Sequence, residues 1–551
     1  MSFSNRVFLP VVALCSLAFL VACGSSGNSA TPPPGGSFSN KNLNGTYVFS
    51  VTGSDPNGAF QTIAGTFVAD GNGDIKSGTM EVNNAESPNL LPATAITGGG
   101  YDVGVDGRGG LSKGGGLTLQ TSAGSLTFDF ALMSSEHGLI TEYDGNGTGS
   151  GTLDIQPSAV SQSNINGQSY AFNFSGIGTL NPTTGAETSF ATVGAFTLDT
   201  NGNITNASVA DLNNAGSSSG LTDLQLSGTV SLAAVPGTAT LTTSAATLHF
   251  DVYPVDATHL EFIETDGAPI MAGDAFTQSS SISSGNYVFT LAGFDSTLQG
   301  PFTAAGIFDM DGSGNILSSS VEDINDFGTV KEVTGTSNFG TYSPVTNGRA
   351  TITLTSAFIN GNGGVVACTD CVFAAYPFTG GLQLLEIDSG GMTGGVAYTQ
   401  NATTLATSSQ GYAYNLSGAI LGTSGEQGEE DDIAEFVNSS GTFTGRIDVN
   451  DDIFGTGESL GLAKSFSATY TADTTVPGRA TLTATSGNST TPDLVTYVVD
   501  NSTVVGVEVD TTQPGLASFS PQNSSSNSNA AIRNLNVTRL IAGVHKASKL
   551  R

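Results

Sequence analysis

The 551-residue chain contains no tryptophan, and only 11% of its residues are charged. Soluble domains carry about 25% charged residues, so Asn, Ser, Thr and the 73 glycines must cover much of the surface. Cations are the scarcest group, with 15 Lys or Arg against 47 Asp or Glu. No acid precedes residue 42 or follows residue 522, so the body between them holds all 47 acids and eight cations, a net of 8 − 47 = −39. That sign makes nucleic acid and anionic lipid poor partners for the body. Divalent cations suit it better, although acidity alone also keeps an exported protein soluble. No segment of the body has a helical period. The four histidines, His137, His249, His259 and His545, show no metal-ligand spacing, and no phosphate-cradling loop is present.

Cysteines are few as well, at four. Two fall between Met1 and Gly24, where Arg6 is followed by an apolar run from Val7 to Leu20 and then by Leu-Val-Ala-Cys ending at Cys23. The run is too short for a stable membrane span and reads as a secretory signal. This segment resembles the signal of bacterial lipoproteins. The resemblance covers only the N-terminus and implies a signal peptide over 1–22, cleavage before Cys23, diacylglycerol on its thiol and an acylated amine. Gly24 stands where the family places Asp for inner-membrane retention, which implies a lipid anchor in the outer membrane, facing either periplasm or surface. Residues 23–41 are rich in Gly, Ser and Pro and read as a flexible tether. The remaining pair, Cys368 and Cys371 in Ala-Cys-Thr-Asp-Cys-Val, suits a small disulfide loop in an exported chain. A redox site would instead need the motif to open a helix, and the flanking valines read as strands.

What the chain has in abundance is repetition. Glu-x-Asp returns at Glu142–Asp144, Glu264–Asp266, Glu386–Asp388 and Glu508–Asp510, and a glutamine follows each Glu at one constant spacing, at Gln156, Gln278, Gln400 and Gln522. Each copy also opens alike, at Tyr47, Tyr170, Tyr287 and Tyr412. These recurrences mark a tandem duplication with units at 42–156, 163–278, 284–400 and 409–522, followed by a basic tail over 523–551. Within a unit, Tyr47, Phe49 and Val51 alternate with Val48 and Ser50, the period of a strand with its large face inward. Next come two apolar runs joined by Asp-x-Asn/Ser-Gly, a hairpin signal. Further strands are expected around Tyr101–Val105, Leu117–Leu119, Leu126–Leu132, Leu139–Tyr143 and Thr152–Ile155. The fold class is therefore all-β: four tandem antiparallel domains of about eight strands each, up-and-down barrels or, alternatively, β-sandwiches. Successive four-strand halves are not alike, so beads on a string are expected rather than one propeller ring.

Candidate chemistry is sparse. Glu264 alternates with Leu260 and Phe262, and Glu386 with Leu382 and Leu384, placing the Glu on the apolar face, where a carboxylate needs a partner or a raised pKa. Arg108, Arg349 and Arg479, in Gly-Arg-Gly, Gly-Arg-Ala and Gly-Arg-Ala, are candidate partners, but copy two has Thr238 there, and Arg349 alternates with Thr351 and Thr353 as if on the opposite face. The favoured expectation is a strand-end Glu with Asp starting the next turn. Asp309 and Asp311 resemble half of a calcium loop, but the twelfth position is Ser320 rather than Glu. The acidic run Glu426–Asp432 reads as a solvated loop. In the tail, Val537, Leu540, Ile541 and Val544 fall on helical spacing among cations, as in a short amphipathic helix or a frayed end.

Together these readings describe a lipid-anchored envelope protein that binds, adheres or presents surface through repeated domains, with no identifiable catalysis and no required cofactor. The alternatives are lipocalin-like enclosure of a small apolar ligand inside each barrel and, third, a calcium-dependent module or a hydrolase. Its partners would be the membrane, through the lipid, and an extracellular or periplasmic ligand.

Overall fold

The computed structural model describes residues 37–525 except 89, 110–115, 179–187, 215–220, 296, 297, 299, 335–337, 356–370, 389, 390, 423, 424 and 486–489. The signal peptide, Cys23 with most of the tether, Cys368 and the tail from 526 lie outside the described residues. Among the described residues no helix is long and apolar enough to cross a membrane.

The first repeat is a closed antiparallel barrel whose eight strands pair in chain order. These are β1 (Asn44–Ser54), β2 (Phe60–Asp70), β3 (Ile75–Asn84), β4 (Leu91–Tyr101), β5 (Leu117–Thr121), β6 (Ser125–Leu132), β7 (His137–Glu142) and β8 (Thr148–Ile155). Period-two alternation sends Tyr47, Phe49 and Val51 inward onto Phe67, Phe128 and Leu153. Phe38 and Leu43, just before β1, plug one end. The opening tyrosine is anchored there through its hydroxyl, Tyr47 to the Ser135 carbonyl at 2.7 Å and Tyr170 to that of Ala257 at 2.7 Å. Turn chemistry also repeats: Asp70, Asp199 and Asp311 each accept backbone N–H groups two and four residues on. Such Asx turns close the second hairpin.

The fourth repeat is likewise a closed eight-stranded barrel, from Tyr412–Gly422 to Gly515–Pro521. The second and third depart by breaking strands. In the second, the counterpart of β4 is split at Leu226 into Leu224–Gln225 and Ser227–Ser231, which pair with opposite neighbours, making nine strands. In the third, the counterparts of β3 and β4 both split, making ten, and a short pairing of Asn315–Ile316 with Gly340–Tyr342 completes the ring of strands. One expected strand is misplaced. β4 ends at Tyr101, where a strand was expected to begin, because Gly98–Gly100, which reads as a breaker, lies inside the strand beside a register shift between Ile96 and Gly98.

Separate beads do not form. All four repeats belong to one compact unit, each barrel packs on the next, and the fourth packs on the first. The cause lies in the outward faces of the strands. Val288 and Ala292, which alternate with the barrel-lining Tyr287, Phe289 and Leu291, join a buried apolar cluster to which all four repeats contribute. Smaller clusters, such as Val48 and Ala64 with Tyr253 and Ile263, seal the first barrel against the second.

Candidate functional site

The outward face of each third strand carries an acid two residues before an asparagine: Glu81-x-Asn83, Asp211-x-Asn213, Asp323-x-Asn325 and Asp448-x-Asn450, all buried. Each Asn side-chain amide donates to backbone carbonyls at the Glu-x-Asp segment of another barrel. Asn83 reaches the Glu264 carbonyl at 2.6 Å, Asn213 that of Glu386 at 2.9 Å, Asn325 that of Glu508 at 3.0 Å and, closing the cycle, Asn450 that of Glu142 at 2.8 Å. The recurring Glu-x-Asp motif is thus half of a joint whose other half is acid-x-Asn.

The arginines belong to the same joints. They do not pair with the repeated Glu, the partner weighed from the sequence. Arg349 binds Asp211 of the preceding barrel at 2.6 and 2.8 Å, Arg479 binds Asp323 at 2.8 and 2.9 Å, and Arg108 binds Asp448 at 2.6 Å. The reason is geometric, since the arginine lies on the outward face and the Glu at the end of the inward one. Tyr376 and Tyr497 also donate to Asp211 and Asp323. Where Thr238 replaces Arg, the acid changes too. Glu81 lies against Tyr253 and Asp251, and burial, with Asp251 adding to it, pushes its carboxyl up to about 8. A neutral acid there needs no cation. The glycine before each arginine, Gly107, Gly348 and Gly478, has φ between +79° and +93°, and the repeated Gln522, Gln278 and Gln400 fills the space where a Cβ would stand.

The repeated glutamates close their strands at Glu142, Glu264, Glu386 and Glu508, all buried. Burial raises all four carboxyls, with Glu264 at about 10 and the other three well above the ordinary range. The Asp two residues on accepts a backbone N–H, from its own turn in the first copy and from the segment opposite in the other three. Asp388 accepts the Val372 N–H at 2.7 Å, Asp144 that of Asn146 at 2.9 Å, Asp266 that of His249 at 3.2 Å and Asp510 that of Asp493 at 3.3 Å.

The acidic run is not a solvated loop. It lies in the strand Gly425–Ser439, and its carboxylates meet hydroxyls of the first barrel: Ser54 donates to Glu429 at 2.6 Å, while Thr148 and Ser150 donate to Asp431 at 2.7 and 2.6 Å. Asp309 accepts the Ser319 hydroxyl beside the Asp311 turn. Cys371 is disulfide-bonded, so although its sulfur lies near Glu386 and Asp388, it offers no thiolate to a metal. A grouping the sequence spacing hid is His259, Glu261 and Asp274, which alternate along one strand and across to the next. Each places a ligand atom within 4.8 Å of the others, and His259 Nε2 stands 3.0 Å from Asp274 Oδ1 while its ring stacks on Phe276.

A cleft of about 550 Å³ opens at the end of the first barrel away from the Phe38 plug. Met80, Val82, Leu91 and Leu126 form its apolar walls, and Gln61, Glu142 and Asp144 are polar groups this barrel places there. Gln61 donates to Glu142 Oε2 at 3.0 Å. A space inside the second barrel, among Phe172, Leu212, Leu226 and Leu241, is only about 10 Å³. A site of the first size holds a small organic molecule, whereas the second is a packed core.

No family model and no curated protein matches the chain. Among solved structures, a double mutant of transferrin-binding protein B, a vaccine antigen from Haemophilus parasuis, is 10% identical at a TM-score of 0.15, covering 72% of this chain and 85% of its own. The alcaligin outer-membrane receptor FauA of Bordetella pertussis is 8% identical at 0.12, covering 87% and 76%. The P pilus usher pore PapC is 8% identical at 0.10, covering 88% and 99%. Scores of this size establish no common fold.

Proposed function

We infer that this chain is a lipid-anchored envelope protein whose four barrels form one body, and that it acts by binding a small molecule in the open mouth of the first barrel, without catalysis. The cleft of about 550 Å³ carries the reading, because it combines apolar walls with a few convergent polar groups. The Arg6 to Cys23 segment supports the anchor and an outer-membrane location. Repetition then serves assembly: the Glu-x-Asp and Gly-Arg elements sit in joints between barrels and do not form four equivalent binding sites. This reading departs from multivalent adhesion and from one ligand in every barrel.

Native mass spectrometry of the delipidated chain purified from its host tests it. One small molecule per chain, lost on Leu126→Trp, which fills the cleft, is the expected result. Four molecules per chain, or one that survives the substitution, would contradict it.

A further inference from the structure

The chemistry of the cleft narrows its ligand. Glu142 and Asp144 stand two residues apart at its inner rim, and Asp55 and Glu86 line it as well. Asp144 Oδ2 is enclosed and meets no side-chain donor in hydrogen-bonding geometry, although the Thr127 N–H lies near this carboxyl. Glu142 has a single amide donor, from Gln61. Among the described residues no Lys, Arg or His lines the cleft. Four carboxyl groups, of Asp55, Glu86, Glu142 and Asp144, therefore line the cleft with no cation among them, next to the apolar surface of Met80, Val82, Leu91 and Leu126. A primary ammonium brings three N–H donors and a positive charge, and an apolar tail on it would cover the side chains beside it.

We propose that the first-barrel cleft selects a cationic amphiphile, an amine with an apolar body, seating its ammonium at Glu142 and Asp144. The inference rests on the cleft being the binding site. Charge-assisted hydrogen bonds to an enclosed carboxylate are about twice as strong as neutral ones, so charge decides among ligands of equal length. The ligand releases no group and forms no covalent bond.

Isothermal titration of the unlipidated chain with n-octylamine, 1-octanol and octanoate at pH 7 tests the class. Octylamine should bind at least ~10-fold more tightly than octanol, a difference of about 1.4 kcal/mol, and octanoate more weakly than either. The double variant Glu142→Gln, Asp144→Asn should reduce octylamine to the octanol affinity while keeping the parent's β-sheet circular dichroism, which shows that the variant is folded. Leu126→Trp should abolish binding of all three. If octanol equals octylamine in the parent chain and both are lost in Leu126→Trp, the cleft is a binding site and the cationic class is wrong. Tighter binding of octanoate overturns the class in the same way. If none of the three binds the parent chain, the cleft reading fails and the inference fails with it.

Discussion

Replacing Arg479 by alanine should loosen the joint between the third and fourth barrels and expose how the body is held together. The guanidinium meets Asp323 through two parallel hydrogen bonds at 2.8 and 2.9 Å, with Asp473 and Glu332 taking its remaining donors at 2.8 and 3.0 Å. Arg479 is 9% exposed and Asp323 3%, so the pair is desolvated. Removing one partner of such a pair costs about 3–5 kcal/mol, because the other charge stays buried. Tyr497 still donates to Asp323 after the change, which favours the lower end, about 3 kcal/mol. If two barrels respond together, that loss lowers Tm by roughly 6–12 °C, at about 2–4 °C per kcal/mol for a unit of their combined size. Scanning calorimetry of Arg479→Ala, Asp323→Asn and the double variant gives the coupling directly. A coupling of about 2 kcal/mol is expected for a buried contact between barrels. A value below about 0.5 kcal/mol, typical of an exposed ion pair, would refute the reasoning.

Other outcomes follow from the same joints and the turns between them. Asn325 donates to the carbonyls of Glu508, Asp510 and Gln513 at 3.0, 2.8 and 3.1 Å, so Asn325→Ala should cost about 1–3 kcal/mol by leaving buried acceptors unmet; a Tm equal to the parent's would count against the joint. Glu81, Glu322 and Asp326 are each held up to about 8 by burial, so the folded chain keeps protons that the unfolded chain releases above about pH 4–4.5. The stability they contribute is present below that pH and is lost as pH rises toward 8, by up to about 1.4 kcal/mol per pH unit and group. Tm should therefore fall from pH 5 to pH 8, and Glu81→Gln should flatten the fall; a parent chain more stable at pH 8 would reverse the sign. Asp311 satisfies its turn through Ser313 and Asn315, so millimolar calcium should leave Tm unchanged, and an upward shift abolished by Asp311→Asn would restore the calcium reading.

The barrels were legible because their signals are local. Alternation at Tyr47, Phe49 and Val51 and the Asp-x-Asn/Ser-Gly turns dictate strands and hairpins whatever surrounds them. The joints were not, because a strand face of Ala, Ser, Thr, Gly and acids reads as solvent-exposed when only apolar residues are taken to mark burial. Thr148 and Ser150 look like surface until Asp431 arrives from the fourth repeat, more than 280 positions away in the chain. The acid-x-Asn pattern on each third strand was available, since it occupies the same place in all four copies, but its partner lies in another copy. Arg349 alternating with Thr351 and Thr353 correctly placed the arginine away from the barrel interior; what could not be read was that the outward side faces another barrel. The cleft was hidden for a different reason. Glu142 recurs in every copy, whereas the space beside it depends on how β4 and its neighbours pack.

Small-angle scattering from the chain expressed from Gly24 onward tests the central claim that the four barrels close into one body. A compact body of about 490 residues has a radius of gyration of about 23 Å, whereas four such barrels spaced about 30 Å apart in a line would give about 36 Å. A value between about 22 and about 26 Å, unchanged by ionic strength, is predicted. A value close to that of the linear arrangement, or one that swells with salt as the Arg–Asp joints are screened, would contradict the closed arrangement.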